Sequence, residues 1–380
     1  MTMRLAAVVA LLLAGQSPAA PAATSVPETI DATARSDVTA ELQRFVDSVP
    51  DGQTITFPDG ASYRIDGTLE WSDRTGITLE GNGARLIAGT LGDPNRAHVR
   101  LIDGGGWTIR GLTVIGANPR GGVFDPEYQW QHGFDLRGVD GAVLEDVIVT
   151  DVFGDAIYVG LSTTTSAWSR GITIRDSTGL RCGRMAVAVT AGRRVTVDGG
   201  FWAEPGLSTF DIEPNGRPGG ADRILIENAT LGPGSRHRAL DITGSGPVSN
   251  VTFRANRLTG RPLHVRADQG HERPRNITVQ GNSSTITFTG PPPAAMTFRN
   301  TDGVTVSGNT QPLLPGRGLA MVAVQGSTSI KVSGQHPYRE LRPVSSSIWY
   351  VAGGLVAALA VVLLRRGRAK RRAAVSGVAR

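Results

Sequence analysis

The feature that most constrains this chain is a repeat with a period in the twenties. Short apolar–x–apolar units rich in Val, Ile and Phe recur along it, bounded by Gly, Asn, Asp or Pro. One series runs through Val143, Ile172, Val195, Ile224, Val251, Ile277, Val304 and Ile330, with spacings of 29, 23, 29, 27, 26, 27 and 26 residues. Such a period specifies a solenoid. The Leu-x-x-Leu-x-Leu consensus of leucine-rich repeats is absent, and no helical pattern separates the strands. A parallel β-helix remains, an all-β class.

Each turn reads as three short strands. In one they are Ile224-Leu225-Ile226, Ala229-Thr230-Leu231 and Leu240-Asp241-Ile242. Alternate residues point to opposite faces, so the apolar members fill the interior and the middle ones face out. Asn256, Asn282 and Asn309 recur at 26 and 27 residues, each three positions past a core Phe or Val. Asn tolerates the left-handed backbone of a tight corner, and stacked amides can bond along the solenoid. Before the repeats, Val38, Leu42, Phe45 and Val46 have helical spacing, with Asp37 as N-cap. A helix there would cover the open end of the core. Residues 37–335 are therefore expected to form the solenoid.

The two ends follow other rules. Arg4, the apolar run Leu5 to Ala14 and the small residues through Ala23 have the layout of a signal peptide, residues 1–23, followed by a linker over 24–36. Residues 348–364 carry no charge and are just long enough for one transmembrane helix, with Trp349 and Tyr350 at its outer edge. A juxtamembrane linker, 336–347, precedes it, and a basic tail, 365–380, follows. Six cations between Arg365 and Arg372 would hold that tail in the cytoplasm and leave the body outside, a single-pass arrangement with the lipid bilayer as one partner. The formal charge of +6 is a topology signal: without Arg4 and the seven cations after residue 364, the body holds 31 basic and 33 acidic residues. A body so balanced is not expected to bind nucleic acid. Cys182, the only cysteine, excludes an internal disulfide and reads as a packed apolar residue.

The opening helix followed by Asp-Gly-Gln-Thr-Ile-Thr-Phe-Pro-Asp-Gly (51–60), together with Gly154-Asp155-Ala156-Ile157-Tyr158-Val159-Gly160 and Phe210-Asp211-Ile212-Glu213-Pro214-Asn215, resembles the pectate lyase-like superfamily. Within it the chain is most similar to bacterial β-helix repeat proteins without assigned activity. The resemblance implies a single-stranded right-handed parallel β-helix. The Asp-Asp and Gly-His-Gly motifs of polygalacturonases are absent here, so their motif set is not intact and pectin hydrolysis does not carry over.

Stacking the third strand of successive turns aligns Phe134, Ile157, Val187, Phe210, Leu240 and Leu263 inward. The next residues, Asp135, Tyr158, Ala188, Asp211, Asp241 and His264, then form an outward stripe. Arg137, Thr190, Glu213 and Arg266 flank it on one side, and His132, Asp155, Met185 and Arg238 on the other. Asp211 and Asp241 are expected one strand spacing apart, about 4.8 Å. Carboxylates so placed raise one another's pKa and separate into acid and base. Asp211 or Asp241 would be acid or base, with Glu213, Asp155 and Arg184 stabilising charge or holding substrate; in a lyase an Arg or His would abstract the proton beside a uronate carboxylate. Tyr158, His237, Arg238, Asp135 and His132 would bind sugar. Outward carboxylates on a solenoid are also ordinarily a solvated face, and Arg neighbours turn them into simple ion pairs.

Loops 116–131 and 161–170 interrupt the repeat beside this wall and carry Phe124, Tyr128, Trp130 and Trp168, whose rings would stack on sugars or pack locally. No cofactor is required; Ca²⁺ could use Asp151, Asp155 or Asp211. The expected partner is a polysaccharide or envelope glycan. A glycoside hydrolase or polysaccharide lyase, a glycan-binding adhesin and a structural spacer all fit this sequence, since the fold hosts many functions.

Overall fold

The computed structural model describes residues 23–341 apart from 234–237, 269–271 and 292. Strands stack into three all-parallel sheets, of 12, 10 and 11 members, in a right-handed solenoid of about eleven turns. Each turn visits the sheets in order, as Gly220–Glu227, Thr230–Leu231 and Leu240–Ile242 do. The alternation expected from the apolar pattern holds. Ile224 and Ile226 are buried and Leu225 between them is half-buried.

The observed register sharpens the repeat. Ile172, Val195, Ile224, Val251, Ile277, Val304 and Ile330 are direct partners, turn after turn. The first member of the expected series is displaced: Ala142, not Val143, pairs with Ile172. Ala142 and Leu144 point inward, and small Ala142 beside β-branched Val143 hides the alternation. The Asn column lies where the period placed it. Asn256 Nδ2 donates to Asn282 Oδ1, and Asn282 Nδ2 to Asn309 Oδ1, each at 2.8 Å. The same amides donate to the carbonyls of Ile226, Phe253 and Val279. The left-handed residue of that corner is the one before each Asn, namely Ala255, Gly281 and Gly308.

The helix spans Thr39–Ser48 and buries Leu42 and Val46. Val38 is its N-cap, one residue later than expected, and the Asp37 carboxylate accepts from the Thr39 N–H at 3.0 Å. Gln43 covers the bare edge of the third sheet: its amide donates to Glu70 O at 2.7 Å and accepts from Glu70 N–H at 2.9 Å. The solenoid extends beyond 37–335 at both ends. Ala23–Ser25 pairs with Thr54–Thr56, Thr33–Asp37 pairs with Ser62–Arg64, and Val26 and Ile30 are buried, so 24–36 is not a linker. Tyr338–Glu340, inside the expected juxtamembrane linker, pairs with Ala320–Gln325. The segments 1–22 and 342–380, with the apolar run 348–364, lie outside the described residues. Among the described residues no helix is long and apolar enough to cross a membrane.

The Asn column tests this account of stability. Asn282→Ala removes four buried hydrogen bonds, two accepted by its Oδ1 and two donated by its Nδ2, and each buried group left unpaired costs about 1–3 kcal/mol before relaxation. We expect a net loss of about 3 kcal/mol in urea unfolding for Asn282→Ala, against about 0.5 kcal/mol or less for the exposed neighbour Gln280→Ala.

Candidate functional site

The third sheet departs from the alternation that governs the other two. Phe210–Ile212, Leu240–Ile242 and Val187–Val189 are buried at every position, including the outward ones. The outward stripe, in register, is Glu70, Arg100, Asp135, Tyr158, Ala188, Asp211, Asp241, Arg266 and Thr297. Asp135 is fully buried, and Asp211 and Asp241 are 3% and 6% exposed. This wall is not a solvated face.

Two arginine clamps bound it. Asp135 accepts from Arg100 Nε at 2.9 Å and Arg137 Nε at 2.8 Å. Asp241 accepts from Arg266 Nε and Nη2 at 2.6 and 2.8 Å, and from Arg238 Nη1 at 3.3 Å. Each carboxylate is thus paired with two guanidiniums. Asp241 does sit beside Asp211 as expected, but both of its oxygens are already taken by arginine donors.

Asp211 is different. Among the described residues no hydrogen bond or ion pair falls to its carboxyl. Burial pushes that carboxyl well above the usual carboxylate range, and Glu213, Asp241 and Asp155 push it further against the pull of Arg184. That shift favours the protonated form over what an ordinary Asp would show. Glu213, two residues along and about 6.6 Å away by strand geometry, has a side chain one-third exposed. Arg184 lies 3.6 Å from Asp155 and 4.0 Å from Glu213, with its guanidinium 5.5 Å from the ring centre of Trp130. Trp130 is 41% exposed. One arginine therefore links the buried acids, the accessible carboxylate and an exposed aromatic face.

Behind it, His132 stacks on Tyr158 at 4.7 Å, and the Tyr158 hydroxyl bonds Thr190 Oγ1 at 2.7 Å. His132 Nδ1 accepts from the Asp155 N–H at 3.0 Å, so it carries no proton of its own. Asp155 Oδ2 stands 3.2 Å from that same nitrogen. Two acceptors face each other unless Asp155 Oδ2 is protonated. Burial, then the charges of Arg184, Arg137 and Arg100, hold His132 well below the usual imidazole range, so below about pH 6 the proton of this contact sits on Asp155.

Other expected residues fall elsewhere. Trp168 packs on Gly220 and donates to Pro218 O at 2.6 Å, so its ring is part of the local fold. Tyr128 packs on Phe153 at 5.0 Å. His237 lies outside the described residues. The partner of Asp241 is Arg266, not His264, because the connection before this strand is two residues longer than the stacking allowed. His264 is half-buried rather than a plain surface residue. Asp151 is paired to Arg181 at 2.6 Å on another corner. Among the described residues no three His, Cys, Asp or Glu side chains are grouped to hold a metal ion. Burial pushes the Cys182 thiol up, out of reach of thiolate chemistry. Sequence reasoning missed Arg100; carrying the stripe one turn toward the N-terminus reaches it.

No family profile matches the sequence, and no curated protein does. Solved structures do. An alginate lyase from Paenibacillus sp. str. FPU-7 superposes with a TM-score of 0.54 at 17% identity, over 77% of this chain and 97% of that one. The fold is that of the pectate lyase-like β-helices. PfbA, a surface adhesin of Streptococcus pneumoniae, gives 0.52 at 10% identity, over 82% and 90% of the two chains. A tailspike protein of E. coli bacteriophage HK620 gives 0.51 at 12%, over 82% and 62%. At such identities the likeness is one of fold.

The proton on Asp155 has a measurable consequence. Burial first, with Asp135 and Glu213 adding to it against Arg184 and the Met185 N–H, pushes Asp155 up to about 6 from an ordinary 3.8. Between those values the folded state binds more protons than the unfolded one. Its contribution to stability is full below the ordinary value and is lost as pH rises through 6, on the order of 3 kcal/mol. Asp155→Asn places an amide N–H where the carboxyl proton stands. We expect the variant to exceed wild type by about 1–3 kcal/mol at pH 7.5 and to match it near pH 4 in denaturant unfolding. A variant less stable at pH 7.5 would show that the ionised carboxylate is what the fold needs.

Proposed function

We propose that this chain is an extracytoplasmic β-helix, tethered by residues 348–364, that cleaves a polysaccharide laid along the third sheet. The observation that carries the reading is Asp211: a buried carboxyl with no hydrogen-bond or ion-pair partner among the described residues, pushed well above the usual carboxylate range, set between an arginine-clamped Asp241 and an accessible Glu213. Asp211 gives its proton to the leaving glycosidic oxygen, and Glu213 activates water on the other side of the bond. Two residues apart on one strand, their side chains lie on the same face, as a pair of carboxyls serving one glycosidic bond must. Arg184 stands 4.0 Å from Glu213 and orients it, and Trp130 offers a stacking face to a neighbouring sugar.

An inactive binding wall is the second reading, and the likeness to an adhesin favours it. A polysaccharide panel, followed for reducing ends and for unsaturated products, separates the two. Asp211→Asn should lower turnover at least 100-fold, and Glu213→Gln comparably, while both keep binding. Saturable binding without product would establish the adhesive reading. Product formed as fast by Asp211→Asn as by wild type would remove Asp211 from the chemistry.

The tether is tested separately. In intact cells, added protease should degrade the body and spare an epitope tag placed after Arg380. A body protected in intact cells and digested only after lysis would place it on the other side of the membrane.

A further inference from the structure

Beside the Asp241 clamp, one turn further along, lies a small cavity of about 120 Å³ lined by Arg238, His264, Arg266, Asp268, Thr297 and Arg299 among others. Three guanidiniums meet there. Asp241 and Asp268 are their two carboxylate partners, the latter 3.3 Å from Arg299 Nη1. One positive charge is left over. Two buried donors, Arg238 Nε and Arg299 Nε, find no hydrogen-bond partner among the described residues. Buried guanidinium donors without acceptors are costly, more so than neutral ones. His264 reports the same field: burial, then Arg238, Arg266 and Arg261, lower it to about 4, so it contributes no charge but keeps a ring nitrogen for bonding.

We propose that this cavity is a subsite for the carboxylate of an acidic sugar. The inference rests on the polysaccharide reading above and names its substrate class: a uronic acid-containing chain. A carboxylate is planar and has two oxygens, matching the guanidinium fork, and it is small enough for the space. It would accept from the orphaned donors and balance the extra charge. Asp241 then acquires a structural purpose. It fixes Arg238 and Arg266 in place, so that their remaining donors are preorganised before the sugar arrives. Two strand spacings, about 10 Å, separate Arg266 from Asp211 along the wall. The carboxylate held here therefore belongs to a sugar flanking the one attacked, and the site sets specificity without joining the bond-breaking step.

The test is binding of single sugars to the full-length protein, with galacturonate and glucuronate compared against galactose and glucose, and inorganic sulfate as a second anion. We expect saturable uronate binding in the millimolar range, no saturation with the neutral sugars, and weaker binding of sulfate. Arg299→Gln should weaken uronate binding about tenfold, with Arg299→Lys intermediate, because a lysine keeps the charge and loses the fork. Arg299 is partly exposed, so its replacement spares the fold; Arg254→Gln, on the first sheet, should leave binding unchanged. Asp211→Asn should bind uronate as wild type does, which separates this subsite from the cleavage site. Equal affinity for uronate and neutral sugar, no saturation up to about 100 mM, or uronate binding indifferent to Arg299→Gln would each overturn the proposal. Preference for sulfate over uronate would overturn the carboxylate assignment. Wild-type protein that binds uronate but releases no product from any polysaccharide of the panel would refute the catalytic reading alone.

Discussion

Everything in this molecule depends on the in-register hydrogen bonding of one turn to the next. Parallel stacking sets equivalent residues about 4.8 Å apart for the length of the solenoid. Any side chain repeated in one column therefore meets its own kind above and below. Apolar columns gain from this, and so does the Asn column, whose amides both donate and accept. Carboxylate columns do not.

The first sheet solves the charge problem by alternation. Arg110 bridges Glu80 at 2.8 Å and Glu145 at 3.4 Å, and Arg175 returns to Glu145 at 3.1 Å. These pairs are half-exposed and are worth little individually, but they remove a repulsion the architecture would otherwise impose. On the third sheet the same remedy stops short. Arg100 and Arg137 answer Asp135, and Arg238 and Arg266 answer Asp241. Asp211 has Ala188 on one side and Asp241 on the other. It is the carboxyl on this stripe left without a cation at hydrogen-bonding distance among the described residues, and burial with its acidic neighbours pushes it well above the usual carboxylate range.

Fold class, period and most of the register were legible in the sequence because each turn repeats one test of apolar alternation. Errors came where a turn gave that test little to work with. Ala142 is too small to mark an inward position beside Val143, and the connection ahead of Val265 is long enough to shift the stripe by two. The site was half legible. Stacking brought Asp211, Asp241 and Glu213 together, since columns follow from period alone. Their division of labour did not follow, because it is set by burial and by side-chain reach across turns. Nothing in the residue types announces that Asp241 is clamped, that Asp155 shares its surroundings with His132, or that Trp168 folds onto Gly220.

The small amide of Gln43 has a consequence for assembly. A stack of parallel strands is a template at each end, and copies of a solenoid can in principle grow head to tail without limit. Gln43 occupies the donor and acceptor of Glu70 that an incoming strand of the third sheet would need, while the helix roofs the core behind it. Open-ended growth requires a free head as well as a free tail. On that sheet, head-to-tail pairing with another copy would first have to displace Gln43 from Glu70.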